Sequence, residues 1–368
     1  MAGRALGRTA PNPAVGAIVV QAGEVVGRGS TQPPWHPHAE VVALAEAGRH
    51  AQGATLYVTL EPCCHYGRTP PCTDAIIAAG IARCIVAVPD PFPAVAGAGI
   101  ADLRAAGIPV DVGLAAAEAT ELLAGFFTRV RKGRPLVTTK YATTLDGRIA
   151  TWSGHSRWIT GAEARVVAHQ LRDRTDAVMV GAGTVVEDNP MLTTRLPTDL
   201  AGDGGVHHPL RVVVDGRGTS SLDARVFDPR FPGKTLVATT EAASPSWIGG
   251  LTARGIEHVV AGAGPLVDLG EALGHLGRCG VNDLLVEGGS RLHGAFFDAG
   301  LADRVAAFIA PAIVGGRSAP GPVGGRGVAT MGEAWRLDRV RIRQIGEDVL
   351  IEGHVVRPVS DAEAIPNV

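Results

Sequence analysis

Apolar and polar positions alternate along the first 130 residues in a way that predicts short strands separated by helices. Strands are expected where β-forming residues alternate or run together, and helices where apolar residues recur every three or four positions. The predicted strands are 15–20, a partner starting at 25, 55–60, 84–88 and 108–112, and the predicted helices are 38–47, 73–79, 100–106 and 115–130. This alternation indicates an α/β layer architecture in which helices cover a sheet.

A charged segment broken by glycine and proline, 131–135, interrupts this pattern and predicts a domain boundary. A second α/β series follows it, with Gly-rich loops at 199–208 and 315–327. Its predicted strands are 136–141, 177–180, 211–215, 235–239, 283–286 and a closing antiparallel pair at 339–345 and 349–355, and its predicted helices are 162–172, 266–276 and 291–299. We therefore predict two α/β domains, residues 1–130 and 134–357.

Composition narrows the classes of function. The chain has 368 residues, 46% of them apolar, which is enough for a packed core in each domain. A formal charge of −2 without a basic run argues against a nucleic-acid partner. No run of about 18 apolar residues predicts a membrane span, and the start has no signal-like apolar core. We expect a cytoplasmic enzyme that acts on a small molecule and forms a homo-oligomer.

The five cysteines are too few and too clustered for a disulfide framework. Cys63, Cys64 and Cys72 lie within ten residues, whereas Cys84 and Cys279 are isolated and are expected to be core or near-core residues. In a reducing compartment, such a cluster indicates metal binding or redox chemistry.

His38, Cys63 and Cys72 form a predicted zinc site. One imidazole and two thiolates suit Zn²⁺ and leave its fourth tetrahedral position for water. His38 and Cys72 each open a predicted helix, where the dipole and free N–H groups favour a thiolate. Glu40 follows His38 by two residues and is predicted to be the general acid and base that exchanges protons with that water and with a leaving amine.

The spacing departs from the usual pattern. Zinc-dependent nucleobase deaminases have His-x-Glu followed by Pro-Cys-x-x-Cys, but here eight residues separate Cys63 from Cys72. Cys64 and His65 are therefore rival ligands. Because adjacent cysteines rarely point at one metal, we favour Cys63 with Cys72. A structural zinc site or a buried thiol cluster is the alternative, but it would have no use for Glu40.

The second half contains three segments that could take part in binding or catalysis. Lys140–Arg148 follows a predicted strand and turns sharply at Asp146 and Gly147. Residues 181–195 follow another strand. Residues 285–292 predict a strand, a glycine turn and a helix, an arrangement that lets backbone N–H groups approach a pyrophosphate. This is not the Gly-x-Gly-x-x-Gly dinucleotide pattern, and glycine turns after strands are common.

These motifs resemble the bifunctional riboflavin-biosynthesis deaminase–reductase family over nearly the whole chain. The matching segments are 12–16, 38–40, 59–63, 65–72, 90–91 and 95–97 in the first half, with the second-half blocks above. The long insertion between the two ligand cysteines is typical of this family within the cytidine deaminase-like superfamily. Cys64 stands where the family commonly has serine.

The resemblance implies a fold and two activities. The fold would be an N-terminal cytidine deaminase-like α/β/α layer domain plus a C-terminal dihydrofolate reductase-like α/β domain. The first domain would be a diaminohydroxyphosphoribosylaminopyrimidine deaminase that uses Zn²⁺. The second would be a 5-amino-6-(5-phosphoribosylamino)uracil reductase in which NADPH delivers hydride to C1′ of the opened ribosyl group.

The resemblance also implies binding residues for the cofactor and substrate. The cofactor residues would be Ala142, Trp158, Thr184, Asp188, Gly289, Ser290, Arg291, Leu292, His293, Gly294 and Ala295, and the substrate residues Asn12, Ser156, Arg172, Leu192, Arg195 and Glu287. Arg172 and Arg195 can clamp a phosphate with forked donors, unless they are ordinary surface arginines.

Several residues keep alternative readings. Asn12 is either a substrate ligand or a turn-forming residue before proline. Lys140 and Asp146 either orient the opened ribose or form a strand-end ion pair. Arg217 is a candidate for the cofactor's 2′-phosphate, and His65 and Arg68 either contact substrate or lie in a solvated loop.

Three rival functions remain open from the sequence. An enzyme for free cytidine or tRNA adenosine is disfavoured by the long loop before Cys72 and by the appended second half. A binding module in which one half is degenerate is disfavoured for the first half by the intact Glu40 and both thiols, but stays open for the second half, whose signals are individually weaker. A structural zinc protein is disfavoured by Glu40.

Overall fold

The computed structural model describes residues 1–201 and 205–357. These residues divide into two compact units: unit 1 comprises Met1–Pro135 with Leu276–Asn282, and unit 2 comprises Leu136–His275 with the chain from Asp283 onward. The functional boundaries 1–130 and 134–357 stay predictions. Of the predicted loop at 199–208, residues 202–204 lie outside the described residues.

The described part of unit 1 contains one mixed sheet and the helices that cover it. The strands are β1 (Gly16–Gln21), β2 (Glu24–Ser30), β3 (Thr55–Leu60), β4 (Arg83–Val88) and β5 (Val110–Val112). The helices are α1 (Ala39–Ala47), α2 (Cys72–Ala78), α3 (Ala98–Ala105), α4 (Ala116–Leu122) and α5 (Ala124–Lys132). The strand order is β2-β1-β3-β4-β5; β1 is antiparallel to both neighbours, and β3, β4 and β5 are mutually parallel.

Close packing fixes the start of α1 against the sheet. Alanines on α1, including Ala39 and Ala43, are fully buried. A Cβ at Gly27 or Gly29 on β2 would overlap backbone atoms of α1. Because the helix and strand backbones approach this closely, the first turn of α1 is held firmly. The same turn carries Glu40.

One predicted helix of unit 1 is wrong. Residues 115–130 were expected to form a single helix, but they form α4 and α5. Leu123 separates the two with non-helical backbone angles (φ −91°, ψ 5°). Its side chain is 1% exposed, so the break buries an apolar residue in the core.

The described part of unit 2 contains a larger sheet. Its strands are β6 (Leu136–Thr144), β7 (Ala177–Gly181), β8 (Leu210–Val214), β9 (Thr235–Thr239), β10 (Glu257–Val260), β11 (Asp283–Val286), β12 (Arg304–Ala310), β13 (Arg336–Ile345) and β14 (Asp348–Val356). Its helices are α6 (Ala162–Asp173), α7 (Ala182–Asp188), α8 (Pro245–Ala253), α9 (Leu269–Arg278) and α10 (Ser290–Asp298); α9 ends within the segment grouped with unit 1.

The strand order of this sheet is β10-β9-β8-β7-β11-β6-β12-β14-β13. The seven strands from β10 to β12 are parallel, and β14 and β13 add an antiparallel edge. The predicted closing pair is therefore confirmed. Parallel strands end at a common edge of the sheet, where ligands bind in open α/β folds, and β6, β7 and β11 bring their following residues to that edge.

Four elements of unit 2 were not predicted: α7, α8, β10 and β12. The apolar run of β12 does not alternate, so its pattern cannot distinguish a strand from a helix. Helix α7 starts at a Gly-Ala-Gly sequence, and glycine is unfavourable inside a helix. A signal for α8 was present, since Ser244 accepts a hydrogen bond from the Trp247 N–H and Pro245 takes the first helical position. Within the described residues, no helix has the length and apolar character needed to cross a membrane.

Candidate active sites

Unit 1 brings His38, Cys63 and Cys72 together. His38 is the N-cap of α1, Cys63 follows β3, and Cys72 is the first residue of α2. His38 Nδ1 lies 3.5 Å from the Cys63 Sγ and 3.4 Å from the Cys72 Sγ. Ligands of a tetrahedral zinc ion with bonds of roughly 2.0–2.3 Å are separated by about 3.3–3.8 Å. The three side chains therefore have the spacing and chemistry that Zn²⁺ requires.

Neighbouring groups orient these candidate ligands. His38 Nε2 lies 3.4 Å from Thr69 Oγ1, so the second ring nitrogen has a partner while Nδ1 faces the sulfurs. The backbone N–H of Cys72 donates to Cys63 Sγ at 3.4 Å. Hydrogen bonding from Cys72, together with His38, lowers the pKa of the Cys63 thiol to about 4 and favours the thiolate that binds metal.

The rival ligands Cys64 and His65 lie outside this group. Among the described residues, the set able to hold a metal consists of His38, Cys63 and Cys72, whose ligand atoms all lie within 4.8 Å of one another. The Cys64 thiol instead donates to the Ala94 carbonyl at 3.8 Å. The His65 ring lies beside Phe92, and its buried Nδ1 has no hydrogen-bond partner in the described part of the chain.

A cavity of about 320 Å³ joins the zinc ligands to the other predicted groups. Asn12, His38, Glu40 and Cys63 line it, as do His65 and Arg68 of the inserted loop. Glu40 is 4% exposed. Burial raises the pKa of Glu40 to about 7, and the negative Cys63 adds to this effect. The cavity is thus lined by candidate metal ligands, a buried carboxyl group and an amide.

Two residues that the sequence analysis missed support Asn12. Arg129 Nη2 donates to the Pro11 carbonyl at 2.7 Å, and Arg129 Nε donates to Asn282 Oδ1 at 2.6 Å. Asn282 Nδ2 in turn donates to the Asn12 carbonyl at 3.4 Å. Asn282 lies in the segment that the structure groups with unit 1. Its partner is 270 positions away in sequence, so no local pattern could have indicated this contact.

Glu61 is a second residue to which the sequence analysis gave no role. Its carboxylate accepts backbone N–H groups of Asp90, Gly97 and Ile100 at 3.0–3.1 Å. Glu61 is 3% exposed. Its partner Asp90 is buried as well, and this burial raises the pKa of the Asp90 carboxyl group to about 6. A charged residue between an apolar strand end and Pro62 was a signal that could have drawn attention to Glu61.

Unit 2 forms a buried charge cluster at the carboxyl edge of its sheet. Glu287 follows β11 and accepts two hydrogen bonds from Arg172 of α6, at 2.6 and 2.8 Å. Lys140 Nζ of β6 lies 3.9 Å from Glu287 Oε2. Burial alone would raise the pKa of Glu287, but Arg172 and Lys140 outweigh it and lower this pKa to about 2. Burial lowers the pKa of Lys140.

The predicted phosphate clamp has an internal partner. Besides the two bonds to Glu287, Arg172 Nη1 donates to the Thr193 carbonyl at 2.9 Å. Its side chain is 14% exposed, so Arg172 is not an ordinary surface arginine. Arg195 is more exposed, and its Nη1 donates to Thr193 Oγ1 at 3.0 Å. Arg195 therefore has more donors available to an anion, and phosphate binding by both residues stays a prediction.

The predicted cofactor residues fall into accessible and buried groups. Gly289 and Arg291 are exposed at the start of α10, and the Gly289 N–H donates to Thr184 Oγ1 at 3.0 Å. The α10 residues Leu292, His293 and Gly294 are buried. The two ring nitrogens of His293 lie 3.1 and 3.2 Å from backbone carbonyls of Pro322 and Val286. Ser290 and Ala295 are half-buried.

The remaining predicted residues of unit 2 are spread around the same sheet edge. Ala142 on β6 packs beside α6. Asp188 ends α7 and accepts from Arg157 Nη2, through its carbonyl at 2.9 Å and its carboxylate at 3.5 Å. Trp158 is exposed, with the Arg165 guanidinium 4.6 Å from its ring centre. Leu192 is buried with φ +55°, Ser156 is half-buried, and Arg217 is exposed.

The Asp146 carboxylate is held by hydrogen bonds within the protein. Its carboxylate accepts from Thr144 Oγ1 at 2.6 Å and from the N–H groups of Val314 and Gly315 at 3.2 and 2.7 Å. These bonds, led by the one from Thr144, lower the pKa of Asp146 to about 2. The contacts join the turn after β6 to the loop after β12.

Comparison with known proteins assigns both units. The family described as "RibD C-terminal domain" matches residues 135–351, and the "Cytidine and deoxycytidylate deaminase zinc-binding region" matches residues 1–88. The riboflavin biosynthesis protein RibD of Aquifex aeolicus is 43% identical, covering 94% of this chain and 93% of its own length. The chain belongs to the RibD family.

Further RibD relatives agree over the same length. RibD of Escherichia coli K12 is 40% identical, with 93% of each chain covered. The form 1 structure of Acinetobacter baumannii RibD is 35% identical, with a TM-score of 0.86 and coverage of 97% of this chain and 96% of its own. A Thermotoga maritima structure, named as a diaminohydroxyphosphoribosylaminopyrimidine deaminase/5-amino-6-(5-phosphoribosylamino)uracil reductase, is 36% identical, with a TM-score of 0.81 and coverage of 96% and 95%.

RibD membership confirms the predicted resemblance and fold class. The first half is cytidine deaminase-like, and the second is a RibD reductase domain with the dihydrofolate reductase-like fold. The chain is an enzyme of riboflavin biosynthesis with deaminase and reductase activities, and its deaminase domain binds zinc. The reductase domain implies a nicotinamide cofactor.

Proposed function

We propose that unit 1 deaminates diaminohydroxyphosphoribosylaminopyrimidine at its exocyclic amine and that unit 2 reduces the resulting 5-amino-6-(5-phosphoribosylamino)uracil with NADPH. These are the substrates named for the Thermotoga relative. The observation that supports the proposal most strongly is the convergence of His38, Cys63 and Cys72 at the 320 Å³ cavity that His38, Cys63 and buried Glu40 line.

In the deaminase site, His38, Cys63 and Cys72 would hold Zn²⁺. When bound there, the ion would supply a water molecule acidic enough to act as a nucleophile near neutral pH. Glu40 lies in the first turn of the helix that His38 caps and lines the same cavity, where its carboxylate would take up the proton that the water gives up. The same carboxyl group then returns a proton to the departing amine. The Asn12 amide orients the pyrimidine within the cavity.

In the reductase site, the chain supplies position and charge. NADPH, when bound, provides the hydride that reduces C1′ of the opened ribosyl group. Backbone N–H groups at the start of α10 would hold its pyrophosphate. Thr184 fixes Gly289 there. Lys140, Arg172 and Arg195 oppose the single carboxylate of Glu287, an excess of positive charge that suits a 5′-phosphate.

One experiment tests both activities. The purified full chain, loaded with Zn²⁺, is given diaminohydroxyphosphoribosylaminopyrimidine, and ammonia release and NADPH oxidation are followed together. Ammonia is expected without NADPH, and NADPH oxidation only after deamination. Equal rates with NADH would refute the cofactor assignment. Comparable ammonia release from cytidine, or none from the phosphorylated pyrimidine, would refute the substrate assignment.

The expectations of a homo-oligomer and of a cytoplasmic location stay predictions. Sedimentation velocity of the purified chain checks the first.

A further inference from the structure

The segment after α7, residues 191–197, lacks regular structure but contains two predicted substrate residues, Leu192 and Arg195. Residues 191–197 form neither helix nor strand. Leu192 even has a left-handed backbone, with φ +55°. A segment of this kind needs contacts from its surroundings to hold a side chain in one place.

Helix α6 and His208, which lies just before β8, provide those contacts. Arg172 Nη1 donates to the Thr193 carbonyl at 2.9 Å. The Thr194 N–H donates to His208 Nδ1 at 3.3 Å, and the Arg195 N–H donates to His169 Nδ1 at 3.3 Å. Three successive residues are therefore fixed through their backbone, each by a different side chain.

His169 and Arg172 lie three positions apart on α6 and so share one face of the helix. Since His169 Nδ1 accepts a backbone N–H, its ring proton must be on Nε2 in the neutral form. Burial, followed by Arg172 and Arg195, lowers the pKa of His169 to about 4; Lys140 acts in the same direction and Glu287 opposes it. The ring is therefore a neutral acceptor throughout the physiological range.

The bond from Arg195 matters because it fixes the direction of an anion-binding side chain. Arg195 Nη1 donates to Thr193 Oγ1 at 3.0 Å. The Arg195 backbone is thus held by His169, and its guanidinium is held by Thr193. A neutral imidazole suits this position, because a cation beside Arg172 and Arg195 would be repelled and could not accept the N–H.

We propose that His169 is a positioning residue of the reductase site, which fixes Arg195 for a phosphate monoester by accepting its backbone N–H. This proposal rests on the function proposed above for unit 2. It predicts that loss of His169 weakens binding of the phosphorylated substrate and leaves hydride transfer from saturated enzyme and NADPH binding unchanged.

The substitutions H169A, H169Q and H169N test the role of Nδ1 directly. The Asn Oδ1 occupies nearly the position of Nδ1 and can accept the same N–H, whereas the Gln Oε1 reaches further. We expect H169A and H169Q to raise the KM for 5-amino-6-(5-phosphoribosylamino)uracil about five- to tenfold, and H169N to restore it, with kcat changed less than about twofold. The matched control is Q170A, one position along α6.

Binding of inorganic phosphate gives a readout independent of turnover. Phosphate affinity is measured by calorimetry for the full-length wild type, R195A, H169A and H169N. The phosphate binding that R195A abolishes should also be weaker in H169A, and H169N should restore it. If H169A fails to fold, as judged by circular dichroism, the comparison of H169Q with H169N replaces it.

The outcomes separate this proposal from the function on which it rests. A wild type that does not oxidise NADPH with the deaminated pyrimidine refutes the proposed function. Wild-type KM and phosphate affinity in both H169A and H169Q refute the role of His169, as does an H169N variant as impaired as they are. Absence of Arg195-dependent phosphate binding in the wild type refutes it too.

Discussion

Unit 1 gathers its reacting groups between His38 and Cys72, whereas unit 2 draws its site from residues as distant as Lys140 and Glu287. In the function proposed for unit 1, the chain itself supplies the metal ligands and the proton carrier. In the function proposed for unit 2, the nicotinamide cofactor supplies the hydride. The chain needs only to position the cofactor and substrate and to neutralise the charge of the phosphate. The comparison teaches that reactive machinery is compact in sequence, while positioning machinery is assembled by the fold.

The two sites also treat buried carboxyl groups in opposite ways. Burial raises the pKa of Glu40 to about 7. Glu287 is also buried, but Arg172 and Lys140 outweigh burial and lower its pKa to about 2. A carboxyl group that must exchange protons benefits from the first environment, and one that must stay a fixed anion benefits from the second.

The largest expected effect comes from removing the proton carrier of unit 1. Glu40→Gln keeps the side-chain shape but cannot exchange a proton, so deamination should fall by about 10²- to 10⁴-fold. NADPH oxidation with deaminated substrate should be unchanged, and ammonia release and absorbance at the NADPH band measure the two activities.

Glu46→Gln on the same helix is the matched control for Glu40→Gln. The Glu46 side chain is half-exposed and faces Arg28. Metal analysis should find the same zinc content in both variants. Equal ammonia release by Glu40→Gln and the wild type would refute the assignment of Glu40.

A smaller effect, on stability, is expected in unit 2. Glu287→Gln leaves Arg172 and Lys140 without their counter-charge; the Arg172 and Glu287 side chains are only 14% and 8% exposed. Breaking a buried pair in this way costs about 3–5 kcal/mol of unfolding free energy, which urea unfolding followed by circular dichroism measures. Glu352→Gln, which breaks the more exposed pair with Arg343, should cost less than about 1 kcal/mol.

The pH dependence of the same variant sharpens this prediction. The pKa of Glu287 is lowered from 4.5 to about 2 on folding. The folded state therefore binds fewer protons at this group, and its stabilisation is complete above pH about 4.5 and disappears as the pH falls toward 2. The difference between wild type and Glu287→Gln should shrink over that window. A constant difference from pH 7 to pH 3 would contradict the ion-pair explanation.

Sequence reasoning succeeded where the signal was local. His38 and Cys72 could be placed because helix starts can be recognised and because a metal restricts the residue types that bind it. The closing pair β13 and β14 could be placed because the two strands adjoin in sequence. The break at Leu123 could not, since an apolar residue suits the core of a continuous helix equally well.

The missed residues depend on contacts between distant parts of the chain. His169 meets the Arg195 N–H across a loop, and neither a histidine on a helix nor an arginine after a turn predicts the other. The family resemblance implied Arg172 as a substrate residue, and its forked donors suggested a phosphate ligand. The fold shows that Arg172 Nε, Nη1 and Nη2 already donate to Glu287 and Thr193. No pattern of residues could indicate these contacts.

The smallest expected effect concerns Asn282, which supports the Asn12 segment in unit 1. Asn282→Ala removes the acceptor of the Arg129 Nε and the donor to the Asn12 carbonyl, while Arg129 keeps its bond to Pro11. We expect the KM for deamination to rise about three- to tenfold, the cost of one or two hydrogen bonds, with little change in the NADPH Kd. Asn282→Asp separates the contributions of these two hydrogen bonds, because the Asp carboxylate still accepts from Arg129 Nε but cannot donate to the Asn12 carbonyl. An unchanged deamination KM in Asn282→Ala would show that the Asn12 segment needs no support from this residue.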